Sequence, residues 1–115
     1  MIAVIFEVPP NPDNTQEYLD IANQLKPLLE KIDGFISIER FKSLQDENKI
    51  LSLSFWENEK AIEEWRNMEI HRQGQEKGID RVFIDYRIRV GEISRDYGMN
   101  NRVEAPKDSN KRHSH

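Results

Sequence analysis

The chain has 115 residues, of which 33% are charged and 37% hydrophobic, with a formal net charge of -4. That is room for one domain with one core, and the interspersed charges leave no basic stripe for tracking phosphates. Cysteine is absent, which excludes disulfides, Cys-ligated zinc, iron–sulfur clusters and thiol nucleophiles.

Ile2 to Val8 alternates, with Ile2, Val4, Phe6 and Val8 on one face and Ala3, Ile5 and Glu7 on the other, as a strand covered on both sides would. Pro9, Pro10 and Pro12 end it. The apolar start, MIAVIFEV, is too short and lacks the basic flank of a signal peptide. No run approaches the roughly 18 apolar residues of a membrane span. Neither nucleic acid nor membrane is an expected partner, and the expected location is cytoplasmic.

Asn14 opens a helix with Glu17 three residues later, a capping-box spacing. Tyr18, Ile21, Ala22, Leu25, Leu28, Leu29 and Ile32 give it a 3.6-residue apolar stripe. Pro27 interrupts that stripe and predicts a kink or restart, and Gly34 predicts a left-handed C-cap. Phe35 to Phe41 is a second strand, and Ser43 to Asn48 a polar hairpin loop into a third.

The stretch from Ile50 to Gly78 is the richest in chemistry. Leu51, Leu53 and Phe55 alternate with Ser52, Ser54 and Trp56, sending two serines and an indole to one sheet face. Asn58 caps a helix from about Glu59 to Lys77, closed by Gly78. Ala61, Ile62, Trp65 and Met68 form its stripe, with His71 one turn beyond. A fourth strand, Val82 to Ile93, sends Tyr86, Ile88 and Val90 to one side and Asp85, Arg87 and Arg89 to the other. From Gly98 onward the chain is polar and nearly without apolar anchors, so residues 1–97 are the expected domain and 98–115 a disordered tail.

The order β-α-β-β-α-β is the α+β ferredoxin-like unit, an antiparallel four-stranded sheet with two helices on one face. The other face, with Ala3 and Ile5, has no further element of this chain to cover it. A second copy would cover it, which predicts a homodimer.

Several segments together are similar to the antibiotic biosynthesis monooxygenase domain: Phe35–Phe41, the third strand LSLSFW, Ala61–Gly78, and Phe83–Val90 with Arg95-Asp96-Tyr97. The resemblance spans roughly residues 1–97. It implies a dimeric α+β barrel. In one branch of that family an aromatic polyketide or quinol is oxidised by O2 with neither metal nor flavin, because the deprotonated substrate itself supplies the electron. That branch carries an Asn four residues before the helix Trp, a Tyr six after it and an Arg on the last strand. Here Trp65 matches, Arg87 is the nearest Arg, and Ala61 and His71 replace the Asn and the Tyr. A second branch degrades heme and places its iron-ligating His ten residues after the Trp. Gln75 stands there in this chain, and glutamine is a poor iron ligand, so no cofactor is expected.

The expected activity is therefore cofactor-independent oxygenation of a small quinol-like or polycyclic aromatic molecule. His71, with an ordinary pKa near 6.5, would take the proton, and Arg87 would balance the developing negative charge. Trp65, Met68, Ser52, Ser54 and Tyr86 would hold the substrate. Each has a plainer role. Trp65 also suits a core aromatic, His71 a surface helix position, and Arg87 or Arg89 a cross-strand pair with Glu39 or Glu7. No metal-ligand spacing occurs within the domain. A non-catalytic dimeric module binding a small ligand in the same pocket is the alternative, and heme binding is a third.

Overall fold

A computed structural model of the chain describes residues 1–9, 15–47, 49–75 and 86–113. The elements are β1 (Ile2–Val8), α1 (Thr15–Leu29), β2 (Phe35–Lys42), β3 (Ile50–Trp56), α2 (Glu59–Gln75), β4 (Arg87–Glu92) and α3 (Lys107–His113). The strands form one sheet in the order β2-β3-β1-β4, with every neighbouring pair antiparallel. This is the ferredoxin-like α+β arrangement read from the sequence. Asn14, Gly78 and the start of the expected fourth strand, Val82 to Asp85, lie outside the described residues.

The alternation in β3 translates directly into burial. Ile50, Ser52, Ser54 and Trp56 are buried while Leu51, Leu53 and Phe55 are half-buried. The first set faces the helices and the second faces away from them. Trp56 is only 1% exposed. It packs edge-on against Phe35, with ring centroids 5.3 Å apart and planes at 72°, an arrangement the ring quadrupoles favour.

The helices are closed by local devices. Asn58 accepts a hydrogen bond through Oδ1 from the Ala61 N–H at 2.9 Å, the N-cap expected of it. α1 runs through Pro27 without a restart but ends two residues later, at Leu29. A string of turn bonds then carries the chain to β2, among them Ile32 N–H to Leu29 O at 3.0 Å and Phe35 N–H to Ile32 O at 3.1 Å. Gly34 therefore does not cap the helix directly. It is the joint between this turn and β2, with φ of 96°, and its carbonyl accepts from the Glu57 N–H at 2.7 Å. That bond ties the start of β2 to the end of β3 just before α2 begins.

Two apolar clusters hold the layers together. One joins Ile2, Leu29, Ile32, Trp56, Ala61 and Ile62, with Trp65 and Met68 packed against it. The other joins Val8, Tyr18 and Ile50, with Phe6, Leu19 and Ile21 alongside. They lie toward opposite ends of the strands, because Ile2 pairs with Trp56 and Val8 with Ile50.

The segment after Gly98, read from composition as a disordered tail, includes α3 and a polar network. The Arg102 guanidinium donates to Asn110 Oδ1 at 2.9 Å, Ser109 Oγ at 2.6 Å and the Gly98 carbonyl at 3.3 Å. It also lies over the Tyr97 ring, 5.3 Å from the centroid. One arginine organises the segment in place of an apolar core, and hydropathy does not register that.

Gly34 carries the clearest stability prediction. A Cβ there would sit 3.0 Å from the Ala61 Cβ, in a backbone region costing an ordinary L-residue roughly 1–2 kcal/mol. Gly34→Ala should lower the unfolding free energy by about 1–2 kcal/mol or more in urea titrations with an unchanged slope. An unaltered midpoint would show that the joint relaxes freely.

Candidate functional site

Between the sheet and the two helices lies a cavity of about 170 Å³. Its floor follows from strand register. Phe6 pairs with Ser52 and Ile88, and Ser52 with Arg40, making one rung across all four strands. Val4 pairs with Ser54 and Val90, and Ser54 with Ile38, making a second. All eight of these side chains line the cavity. The roof is Tyr18, Ile21, Ala22 and Leu25 of α1 with Ile62, Trp65 and Arg66 of α2, and Trp56 lines it from the sheet side.

The space sits between the two apolar clusters and draws on both, Trp56 and Ile62 from one and Tyr18 from the other. It exists because the central strand carries serines where a core strand would carry Val or Ile. Ser52 and Ser54 are each 6% exposed and are the described buried polar residues. Ser54 Oγ accepts from the Trp56 indole N–H at 2.9 Å. That bond satisfies a donor that burial would otherwise penalise and fixes the ring against the cavity.

Of the residues singled out in the sequence, Ser52, Ser54 and Trp65 are brought together here. Met68 packs against the neighbouring cluster instead. Tyr86 stands at the start of β4, 55% exposed, with its ring 5.4 Å from that of Phe6. The imidazole of His71 lies outside the described residues, although its backbone is within α2.

Arg87 is not brought to the cavity. It pairs with Glu7, and Glu7 points to the opposite sheet face from Phe6 and Val8. Arg89 shares that outer face and forms the cross-strand ion pair there, Nη1 to Glu7 Oε2 at 3.1 Å. The sheet itself separates Arg87 from Trp65.

The arginine that does line the cavity is Arg40, with Arg66 the second. Arg40 was not singled out from the sequence, since an Arg on a strand between Glu39 and Phe41 reads as a solvated or ion-paired position. The cue was available in its parity: Ile38 and Arg40 share a face.

The family model for antibiotic biosynthesis monooxygenases matches residues 1–77. The chain belongs to this family. A protein of Pyricularia oryzae named jasmonate monooxygenase ABM is 50% identical over 94 residues, which cover 82% of this chain and 44% of that one. The chain thus spans less than half the length of that relative. Among solved structures, Rv0793 of Mycobacterium tuberculosis has a TM-score of 0.71 at 15% identity, covering 84% of this chain and 98% of that one. The heme degrader MhuD of the same organism, with two hemes bound in its active site, has a TM-score of 0.69 at 16% identity, covering 85% and 100%. At such identities these structures establish the shared fold.

The Ser54–Trp56 contact can be tested in the unliganded protein. Ser54→Ala strands a buried indole N–H and should cost about 1–3 kcal/mol. Adding Trp56→Phe to that background removes the stranded donor, so the pair should be less destabilised than the sum of the single changes. Strict additivity in thermal or urea melts would mean that the bond contributes nothing.

Proposed function

We propose that this family member is an oxygenase that takes a small, largely apolar cyclic molecule into the cavity between sheet and helices and oxidises it with O2 without a bound metal or flavin. One observation carries this reading: a family member with a preformed apolar cavity whose walls bring together Trp65, Ser52 and Ser54. In a quinol-like or polycyclic aromatic substrate, the indole of Trp65 offers a face or edge for the ring.

His71 is the proposed base. It accepts the proton from a C–H or O–H acidified by the conjugated ring. The resulting carbanion gives one electron to O2, the two radicals join at carbon, and the hydroperoxide loses water. For a methylene flanked by aromatic rings, the substrate and one molecule of O2 give the corresponding ketone and one molecule of water. The substrate loses four electrons, both oxygen atoms take them up, and no external reductant is consumed. The Pyricularia relative named for jasmonate favours a second candidate substrate, jasmonate or a molecule like it.

Heme is poorly served by these residues. The described lining offers iron no imidazole, thiolate or thioether, only the phenol of Tyr18, and no cluster of three His, Cys, Asp or Glu occurs among the described residues.

The outer sheet face is assigned to a second copy. Ile5, Leu51, Leu53 and Phe55 are half-buried on it and Phe41 is 43% exposed, a contiguous apolar surface that needs cover. Arg87 and Arg89 belong to this face. Leu53→Glu would place an unpaired carboxylate at its centre. Sedimentation should show the parent chain as a dimer and this variant as a folded monomer, whereas a dimeric variant would place the interface elsewhere.

The activity is tested by oxygen uptake with metal-free protein against a panel of quinols and anthrones with jasmonate beside them. The parent protein should accelerate uptake. Trp65→Ala should impair it, and His71→Ala should lower turnover by about 10²–10⁴ without loss of fold. Undiminished turnover in His71→Ala would remove that base. No acceleration by folded protein across the panel would leave a dimeric ligand-binding module as the function.

A further inference from the structure

An apolar cavity does not need arginine, yet two guanidinium side chains, Arg40 and Arg66, line this one. Arg66 is on an exposed helix position. Arg40 is different: its Nε is buried and has no hydrogen-bond partner, and among the described residues no carboxylate forms an ion pair with it. A buried, unpaired donor on a charged group is costly, so it marks a place for a partner that the described residues do not supply. We propose that Arg40 is the anion-recognition residue of this cavity and that the site takes an amphiphilic carboxylate.

Three further observations point the same way. No acidic residue lines the cavity among the described residues, although the chain has 21 Asp and Glu against 17 Lys and Arg. A positive cavity in an acidic chain is a local arrangement, not a reflection of composition. The carboxylate nearest in sequence, Glu39, is the strand neighbour of Arg40 and so points to the other sheet face. The described Arg–carboxylate pair, Arg89 with Glu7, is also on that other face.

The charge of Arg40 is placed at one end. Arg40 lies on β2, the edge strand farthest from β4, with Ser52 beside it on β3. At the β4 edge the lining is apolar, and Ile88 and Val90 are each 50% exposed. From the one edge strand to the other is three interstrand spacings, roughly 14 Å. A ligand lying along the rungs would put its carboxylate at Arg40, where the planar guanidinium can match it with paired N–H donors. Its apolar body would cross Ser52 and Phe6 toward Ile88, with Trp65 above. Neutralising the head at one end is what lets an anion enter so apolar a space. This assignment rests on the cavity being the substrate site and adds the class of substrate it selects.

The test is calorimetric binding of matched pairs, each an aromatic or alicyclic acid and its primary amide, beginning with 4-phenylbutyrate and 4-phenylbutyramide. The parent protein should prefer the acid by about tenfold or more, as a charge-assisted bond provides. Arg40→Met should erase that preference while leaving the amide within about twofold, and Arg40→Lys should restore part of it. Without ligand, Arg40→Met should melt no lower than the parent, because it removes an unpaired buried donor and keeps the stem's packing. A preference that survives in Arg40→Met, or equal binding of acid and amide by the parent, overturns the assignment of Arg40 and leaves the cavity as a site for neutral molecules. Failure of every acid and amide to bind folded parent protein overturns both this inference and the reading of the cavity on which it rests.

Discussion

Strand register is the constraint on which the rest depends. The side-chain period of a strand is two, so a one-residue slip of β3 against β1 would exchange Ser52, Ser54 and Trp56 for Leu51, Leu53 and Phe55 on the helix side. The helices would then meet three large apolar side chains where there are now two hydroxyls and one indole. Trp56 pins the register by filling space against Ile2, Phe35 and the helices. Its N–H is engaged by Ser54, two residues back on the same face. A shifted strand would lose that packing and carry the Ser54–Trp56 pair to the other sheet face. Fold and site are therefore not independent: the interaction that aligns the sheet also shapes the cavity wall.

The cavity is framed by rigid parts. Two rungs that cross four strands form its floor, and helices anchored by Leu29, Ala61 and Ile62 hold its roof. The hinge-like places are kept outside it. Gly34 absorbs the positive φ between α1 and β2, and its carbonyl bond to Glu57 sets where α2 departs from β3. Lining residues set on regular elements hold their positions better than residues on loops. That suits a reaction in which the protein orients the reactants and removes one proton.

The sheet, the helices and the dipped floor were all legible from periodicity. The alternation of serines with Leu51, Leu53 and Phe55 was enough to put Ser52 and Ser54 on the face beneath Trp65. Three things were not legible, for different reasons. Arg40 was hidden because residue type dominates a local reading, and an arginine between Glu39 and Phe41 looks like surface. Its parity with Ile38, and its pairing with Ser52, place it inside. Arg87 was drawn toward the catalytic set by its position in a family pattern, yet its strand parity, shared with Asp85 and Arg89, already put it on the opposite face from Ile88. The segment after Gly98 was misjudged on composition, since Arg102 holds it through hydrogen bonds, which hydropathy does not count. Parity was the more reliable guide in each strand, and residue identity the less reliable one.

A chain selected for stability alone would not be built this way. Val or Ile at position 52 would narrow the cavity and add apolar burial, and a Met at position 40 would remove a stranded donor. Natural sequences depart from local consistency mainly where function requires it. Here the departures are not scattered. Ser52, Ser54 and Arg40 occupy adjacent places on two neighbouring rungs, under one tryptophan. On the outer face the irregularity is of another kind, an apolar surface left half-covered, and a second copy of the same sheet would relieve it. Nothing among the described residues relieves the first. An unfilled apolar space with an unpaired guanidinium at one end becomes favourable when a molecule of complementary shape and opposite charge occupies it. On the proposed reading the cavity, and not the sheet edge or the polar C-terminal segment, is the place where this chain's stability is traded for binding.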